Sequence, residues 1–147
     1  MPQTTEVIAR GVLFGARGIL LCRVIGKDNT FLPGGHIEFG EPAALALARE
    51  VKEELGMRVE VGDFFGVVEC VYLDNTAQHH EINFVFEMNS PAVERRVKFT
   101  SQEAHLEFLW QPINMLAEVN LLPKALRTLI PQWSRGRHLA WSSEIHE

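Results

Sequence analysis

Three glutamates at helical spacing, Glu50, Glu53 and Glu54, are the residues of this chain best suited to chemistry. An α-helix advances about 100° per residue, so the three side chains share one sector while the alanine, leucine and valine residues between 44 and 55 occupy another. Carboxylates stacked in this way repel one another by roughly a few tenths of a kcal/mol per pair. A hard cation such as Mg²⁺, which prefers oxygen ligands and accepts phosphate oxygens from a substrate, would turn that repulsion into binding. The spacing therefore indicates metal-assisted phosphate chemistry.

A second interpretation of this segment is a solvated helix on which Arg49 pairs with Glu53 four residues later and the glutamates maintain solubility. That interpretation leaves unexplained the paired glycines before the helix, the distance to Glu41, and Gly56 at its end. We therefore favour the functional interpretation.

The whole segment from Gly35 to Met57 resembles the Nudix box. Five residues separate Gly35 from Glu41, seven more follow, and the box ends in REVKEELGM over residues 49–57, so that every specified position matches. The resemblance covers residues 6–130, and the box is its specific part. It implies a hydrolase in which a metal-activated water attacks phosphorus and releases a nucleoside monophosphate or a similar group from a diphosphate.

The resemblance also implies roles for the residues of the box. The carbonyl of Gly35 and the carboxylates of Glu50, Glu53 and Glu54 are expected to bind Mg²⁺, for which Mn²⁺ can substitute. Glu50 and Glu53 are thereby predicted to be catalytic, together with Arg49, which is expected to orient a glutamate.

An additional acidic residue outside the box often serves as base or extra metal ligand in such enzymes, and the loop of residues 101–107 resembles the segment that carries it. We choose Glu103 as the catalytic residue of this loop. Glu107 is the competitor, and a third interpretation treats both as solvated loop charges. Glu41 is expected to support the loop and Arg49 or to reach an outer metal through water, and a purely capping role at the helix N-terminus is the alternative interpretation.

Candidate substrate contacts lie on two predicted strands. Arg23 follows an apolar strand, where a guanidinium suits bidentate binding of phosphates; a surface arginine is the alternative interpretation. Residues 79–88 alternate in polarity, so that His79, Glu81 and Asn83 share a polar face, and the polar face of a central strand often lines a site.

The elements that must position these residues follow from periodicity and turn residues. Glycines suggest a hairpin between the first two apolar segments, and Gly56 suits the left-handed residue that ends the box helix. This order indicates an α+β fold, and the resemblance implies a Nudix α/β/α sandwich with a mixed β-sheet between helices. We predict strands at 6–14, 19–24, 59–73, 79–88 and 108–110, and helices at 42–55, 113–117 and 122–130. The segment 59–73 is either one strand or two strands with a break near Gly62 and Asp63.

Composition limits the remaining possibilities. A chain of 147 residues, 46% hydrophobic and 22% charged, is expected to form one domain over 1–147. A net charge of −5 argues against an extended nucleic-acid surface and favours a small nucleotide as partner. The sequence contains no signal-like segment or long apolar run, so we expect a cytoplasmic protein without membrane contact. The tail, 131–147, is expected either to pack over the domain or to contact a second subunit in a homodimer.

The predicted function is Mg²⁺-dependent hydrolysis of a pyrophosphate bond in a nucleoside diphosphate linked to another moiety. Nucleoside triphosphates, dinucleoside polyphosphates and nucleotide sugars remain open as substrates. Tyr72 lies near the position of a tyrosine in dinucleoside polyphosphate hydrolases. Relatives that hydrolyse ADP-ribose tend to carry a proline well downstream of the box, so the absence of proline between Pro42 and Pro91 argues against ADP-ribose. The alternative is a module with this fold that senses a nucleotide without hydrolysing it.

Overall fold

The computed structural model describes residues 1–145, which form a mixed β-sheet with helices on both faces. The predicted hairpin and the helix that carries the box are both confirmed. The elements are β1 (Gln3–Gly15), β2 (Gly18–Val24), β3 (Gly34–His36), α1 (Ala43–Leu55), β4 (Glu60–Leu73), β5 (Gln78–Asn89), α2 (Pro91–Glu94), β6 (Leu106–Gln111), a 3₁₀ turn (Leu116–Val119), α3 (Leu126–Ser134) and β7 (Ala140–Ser143).

The strands lie in the order β6-β2-β1-β5-β4-β7, and the short β3 pairs with β1. The pairs β1/β5 and β4/β7 are parallel, whereas β1/β2, β1/β3, β2/β6 and β4/β5 are antiparallel. The break expected near Gly62 is instead a pair of register shifts between Val61 and Gly66 within one continuous strand. Such irregularities bend a strand without ending it.

Two apolar layers enclose the sheet. One layer packs α1 against β1, β2 and β5 through residues such as Leu47, Val51, Leu13 and Met88. The other packs α3 and the 3₁₀ turn against the opposite face. The α/β/α sandwich is therefore confirmed, and it holds α1 firmly along one side of the sheet.

The central strand β5 is covered on both faces, and its polar face is the more deeply buried. Glu81, Asn83 and Val85 retain at most 8% exposure, while Ile82 and Phe84 on the other face are half-buried. The alternation predicted for residues 79–88 is thus present, but α3 covers the side that carries the polar groups.

The predicted tail packs on the domain itself. Helix α3 extends past Pro131, so that Trp133 is buried and stacks on Phe65 with 5.2 Å between ring centroids. Beyond it, β7 adds to the sheet beside β4. Contact with a second subunit stays a prediction. None of the helices within residues 1–145 has the length and apolarity to cross a membrane.

Candidate active site

Helix α1 presents its acidic residues because its other face is buried. Leu47, Val51 and Leu55 lie in the core, and the helix ends where Gly56 adopts a left-handed conformation, with φ of 69°, and donates its N–H to the carbonyl of Lys52 at 2.8 Å. A non-glycine residue is disfavoured at that φ. Gly56 therefore has the helix-ending role predicted for it.

Arg49 is the centre of an ion-pair network on the exposed side of α1. Its guanidinium binds both carboxylate oxygens of Glu41, at 2.7 and 2.9 Å. It also donates to Glu50 at 3.0 Å, to Glu53 at 3.2 Å and to the carbonyl of His36 at 3.1 Å. The hydrogen bonds from Arg49 lower the pKa of Glu41. The carboxylates of Glu41, Glu53 and Glu50, which accept these hydrogen bonds, raise the pKa of Arg49. Arg49 thus connects the loop before α1 to Glu41, Glu50 and Glu53, and its orienting role in the reaction stays a prediction.

Glu54 differs from the other box glutamates because it is buried and unsatisfied. Glu54 is 8% exposed. Its Oε2 has no hydrogen-bond partner among the described residues. Burial raises the pKa of Glu54 to about 8, Arg10 opposes that rise, and the charges of Glu50, Glu103 and Glu53 add to it. An unpaired buried carboxylate costs several kcal/mol in its charged form, on the order of magnitude expected for ion desolvation.

Gly35 lies directly against the Glu50 carboxylate. A Cβ added at Gly35 would overlap the carboxylate carbon of Glu50. The position therefore requires glycine to keep the β3 backbone and the acidic face of α1 together.

The residues present fit a divalent cation in their chemistry. Glu54 offers a buried oxygen without a partner, Glu50 and Glu53 stand one turn or less away, and all three are oxygen donors. Within residues 1–145, however, no three His, Cys, Asp or Glu side chains stand together in a geometry that could already hold a metal. Arg49 holds Glu50 and Glu53 instead, so cation binding would require part of this network to rearrange.

The loop of residues 101–105 closes over the C-terminal end of α1. Gln102 donates its N–H to the carbonyl of Glu54 at 2.6 Å, and Ser101 Oγ donates to the same carbonyl at 3.4 Å. The charge of Glu103 contributes to the raised pKa of Glu54. Glu107 instead pairs with Arg23 at 3.0 Å between β6 and β2. The structure thus brings Glu103 to the box and leaves Glu107 and Arg23 with each other.

A cavity of about 600 Å³ opens on the α3 side of the sheet. Arg10 reaches into it and donates from Nη1 to the carbonyl of Leu32 at 3.1 Å and from Nε to Asn83 Oδ1 at 3.4 Å. The cavity is lined by Arg10, Asn29, Phe31, Leu32, Cys70, Val71, Tyr72, Leu73, Glu81, Asn83, Val85, Leu122, Pro123, Lys124, Leu126 and Glu144.

Arg10 lines this cavity and was not among the residues that the sequence predicted to bind substrate. A lone arginine between Ala9 and Gly11, inside an otherwise apolar strand, was the available signal. An arginine side chain on a buried strand face is rare unless it has a partner, so its position in the sequence is a signal of a binding role.

The four predicted substrate contacts have different surroundings. Glu81 and Asn83 line the cavity, whereas Arg23 is not among its lining residues. His79 stands between Glu6, at 3.2 Å, and Asp74, at 2.8 Å, and it stacks on the ring of Tyr72 at 4.6 Å. His79 therefore supports one wall of the cavity and does not itself line it.

Comparison with known proteins gives the following similarities. A family model described as the NUDIX domain matches residues 4–133. A MutT-like protein from Streptomyces ambofaciens is 40% identical over 67 residues, which are 45% of this chain and 44% of that protein. An ADP-ribose pyrophosphatase from Methanocaldococcus jannaschii is 32% identical over 123 residues, which are 80% of this chain and 64% of that protein. The chain therefore spans less than two thirds of the length of either relative.

Among solved structures, a MutT protein from Methanosarcina mazei Go1 superposes with a TM-score of 0.70. The match covers 92% of this chain and 97% of that chain at 21% sequence identity. This similarity establishes a common fold.

Proposed function

The chain belongs to the NUDIX domain family, and from that premise we propose that it hydrolyses a pyrophosphate bond in a nucleoside diphosphate linked to another moiety. The observation that carries this proposal is Glu54, a buried carboxylate without a hydrogen-bond partner beside Glu50 and near Glu103. A carboxylate in this position is costly to the fold unless a cation compensates its charge.

We propose Mg²⁺, or Mn²⁺ in its place, as the cation. Glu50, Glu53 and Glu54 would hold it, with the carbonyl of Gly35 as a backbone ligand. When bound, such an ion neutralises charge on the substrate phosphates and lowers the pKa of a bound water. Arg49 would keep Glu41 and Glu50 in position through the hydrogen bonds described above, which is a positioning role.

The reaction consumes one water molecule. The water oxygen forms a bond to phosphorus, the bridging P–O bond breaks, and the leaving phosphate takes the electron pair. The carboxylate of Glu103 would accept the proton that the attacking water loses. Its proximity to Glu54, together with the ion pair that engages Glu107 elsewhere, supports this choice.

The substrate would occupy the cavity described above. Arg10 supplies the positive charge at the end nearest the Gly34-Gly35 loop, because it donates to the carbonyl of Leu32 just before that loop. Glu81 and Asn83 would contact the remainder of the substrate.

Nucleoside triphosphates, dinucleoside polyphosphates and nucleotide sugars all remain candidates, and the similarity to an ADP-ribose pyrophosphatase brings ADP-ribose back among them. The cytoplasmic location and the homodimer expected from the sequence stay predictions.

A substrate screen tests the proposal. The wild-type chain is incubated with each candidate class and Mg²⁺ or Mn²⁺, and product masses identify the bond that breaks. Glu60→Gln, at an exposed position on β4, is the matched control for Glu54→Gln. We expect turnover by the wild-type and control chains only. Equal turnover by Glu54→Gln, or no metal-dependent turnover of any class, would contradict the proposal.

A further inference from the structure

The cavity contains two carboxylates, and one of them, Glu144, has no role in the proposed hydrolysis. Glu81 comes from β5, and Glu144 directly follows β7. Both line the cavity, with Cys70 of β4 between them. Cys70 lies opposite Glu81 in the β4/β5 register, and Glu144 donates its N–H to the carbonyl of Glu69 at 3.0 Å. Since neighbouring strands lie about 4.8 Å apart, the two glutamates flank the cysteine in one row across the sheet.

These carboxylates lack the partners that buried charges normally have. Glu81 is 8% exposed, and no hydrogen bond to its side chain is found within residues 1–145. Oε2 of Glu144 is buried and has no hydrogen-bond partner in the same part of the chain. Buried polar groups are almost always hydrogen-bonded, so the two side chains lack donors that a ligand could supply.

The row of carboxylates is unsuited to phosphate. Both side chains are acceptors when ionised, and their charge repels anions. Arg10 and Lys124 are the cationic residues that line the cavity, and Arg10 donates to the carbonyl of Leu32, just before the Gly34-Gly35 loop. A substrate with a phosphate end and a neutral end would therefore direct its neutral end toward Glu81 and Glu144.

Two aromatic residues give the cavity walls suited to a flat or ring-shaped group. Arg10 lies over the ring of Phe31 at 5.5 Å. Tyr72 is held on its other side by the parallel ring of His79, with an interplanar angle of 8°. Aromatic faces of this kind pack against sugar rings and nucleobases.

We propose that Glu81 and Glu144 form a specificity subsite that binds adjacent hydrogen-bond donors on the non-phosphate part of the substrate. The donors are either the paired N–H groups of a guanine-type base edge or the hydroxyls of a ribose diol. Glu144 lies beyond residues 4–133, the range that the NUDIX model matches, so the C-terminal strand contributes this selectivity. The inference rests on the proposed function only in assigning the cavity to the substrate.

Nucleosides without phosphate test the subsite separately from hydrolysis. Binding of guanosine, adenosine and their 2′,3′-dideoxy forms is measured by NMR titration without metal, for the wild-type chain, Glu144→Gln, Glu81→Gln and the exposed control Glu60→Gln. Because loss of a charge-assisted hydrogen bond weakens binding about 10- to 100-fold, Glu144→Gln should show a loss of that size and the control none. The substitution is isosteric, and thermal denaturation verifies that each variant folds.

The ligand series distinguishes the two sources of donors. If the variants bind only guanosine and its dideoxy form more weakly, the donors belong to the base edge, because adenine does not present two adjacent donors. If the variants bind guanosine and adenosine more weakly but bind both dideoxy forms as the wild-type chain does, the donors are the hydroxyls of the ribose diol. Unchanged binding of all four ligands by Glu144→Gln and Glu81→Gln, or an equal loss for all four, overturns the proposal whatever the hydrolysis assay shows.

Discussion

Replacing Glu54 by glutamine should abolish metal-dependent turnover and, without metal, make the protein more stable. Burial is the chief reason why the carboxyl has a pKa of about 8 in the folded protein, against its ordinary value of 4.5. The folded state therefore holds a proton that the unfolded state releases. Stability of the wild-type chain should fall as the pH rises from 4.5 to about 8 and change little above that.

The size of the effect follows from the same shift in pKa. At about 1.4 kcal/mol per pKa unit, the change from 4.5 to about 8 corresponds to an upper limit of about 5 kcal/mol. Relaxation of the protein and water penetration around a buried ion reduce the actual penalty, so we expect about 2–3 kcal/mol. Glutamine has the same shape without the charge, so at pH 8 the variant should melt about 5–10 °C above the wild-type chain.

Differential scanning calorimetry of metal-free protein between pH 4.5 and pH 9 measures this difference. The two melting temperatures should converge at the acid end, where Glu54 is protonated in both states. Glu60→Gln is the matched control, because Glu60 is exposed and is not among the charges that raise the pKa of Glu54, so its replacement should leave the pH slope unchanged. Added Mg²⁺ should raise the melting temperature of the wild-type chain and leave that of Glu54→Gln nearly unchanged.

Parallel melting curves for the wild-type chain and Glu54→Gln across this pH range would refute the assignment of an unsatisfied buried charge. Equal stabilisation of both proteins by Mg²⁺ would refute Glu54 as a cation ligand. Turnover under saturating metal should fall about 100-fold or more in the variant.

Three further substitutions test the surroundings of Glu54. Glu103→Gln should lower kcat more than it raises KM, whereas Glu107→Gln should leave kcat unchanged. The reverse result in steady-state kinetics would assign the role of proton acceptor to Glu107. Gly35→Ala should lower turnover by at least about 10-fold, because the new methyl group displaces the Glu50 carboxylate, while circular dichroism remains that of the wild-type chain. Trp133→Ala should lower the free energy of unfolding by about 3–5 kcal/mol in urea denaturation, and a loss below 1 kcal/mol would contradict its packing in the core.

The helix that carries the box was predictable because its signals are local. Apolar residues at helical spacing, the adjacent Pro42 and the closing Gly56 lie within one short segment, and α1 begins and ends within one residue of the prediction. The ion pair between Arg49 and Glu53 was predictable for the same reason, since four-residue spacing places the two side chains on one face of the helix.

The choice between Glu103 and Glu107 required the fold. Both residues belong to one short loop and strand, and the sequence offers no period that separates them. The antiparallel pairing of β6 with β2 sets Glu107 opposite Arg23, whereas the loop before β6 hydrogen-bonds to the last turn of α1. Long-range backbone pairing therefore places Glu103 near enough to Glu54 for its charge to raise the pKa of that carboxyl, and it pairs Glu107 with Arg23; the catalytic role of Glu103 stays a prediction.

The sequence by itself determined the family, the α+β class and the acidic helix, because motif spacing and hydrophobic periodicity are properties of neighbouring residues. Only the tertiary structure brought Arg10, Glu81 and Glu144 to one cavity. Those residues are distant along the chain and meet because β1 pairs with β5, β5 with β4, and β4 with β7. Strand order and register depend on burial across the whole sheet, and a local pattern does not carry that information.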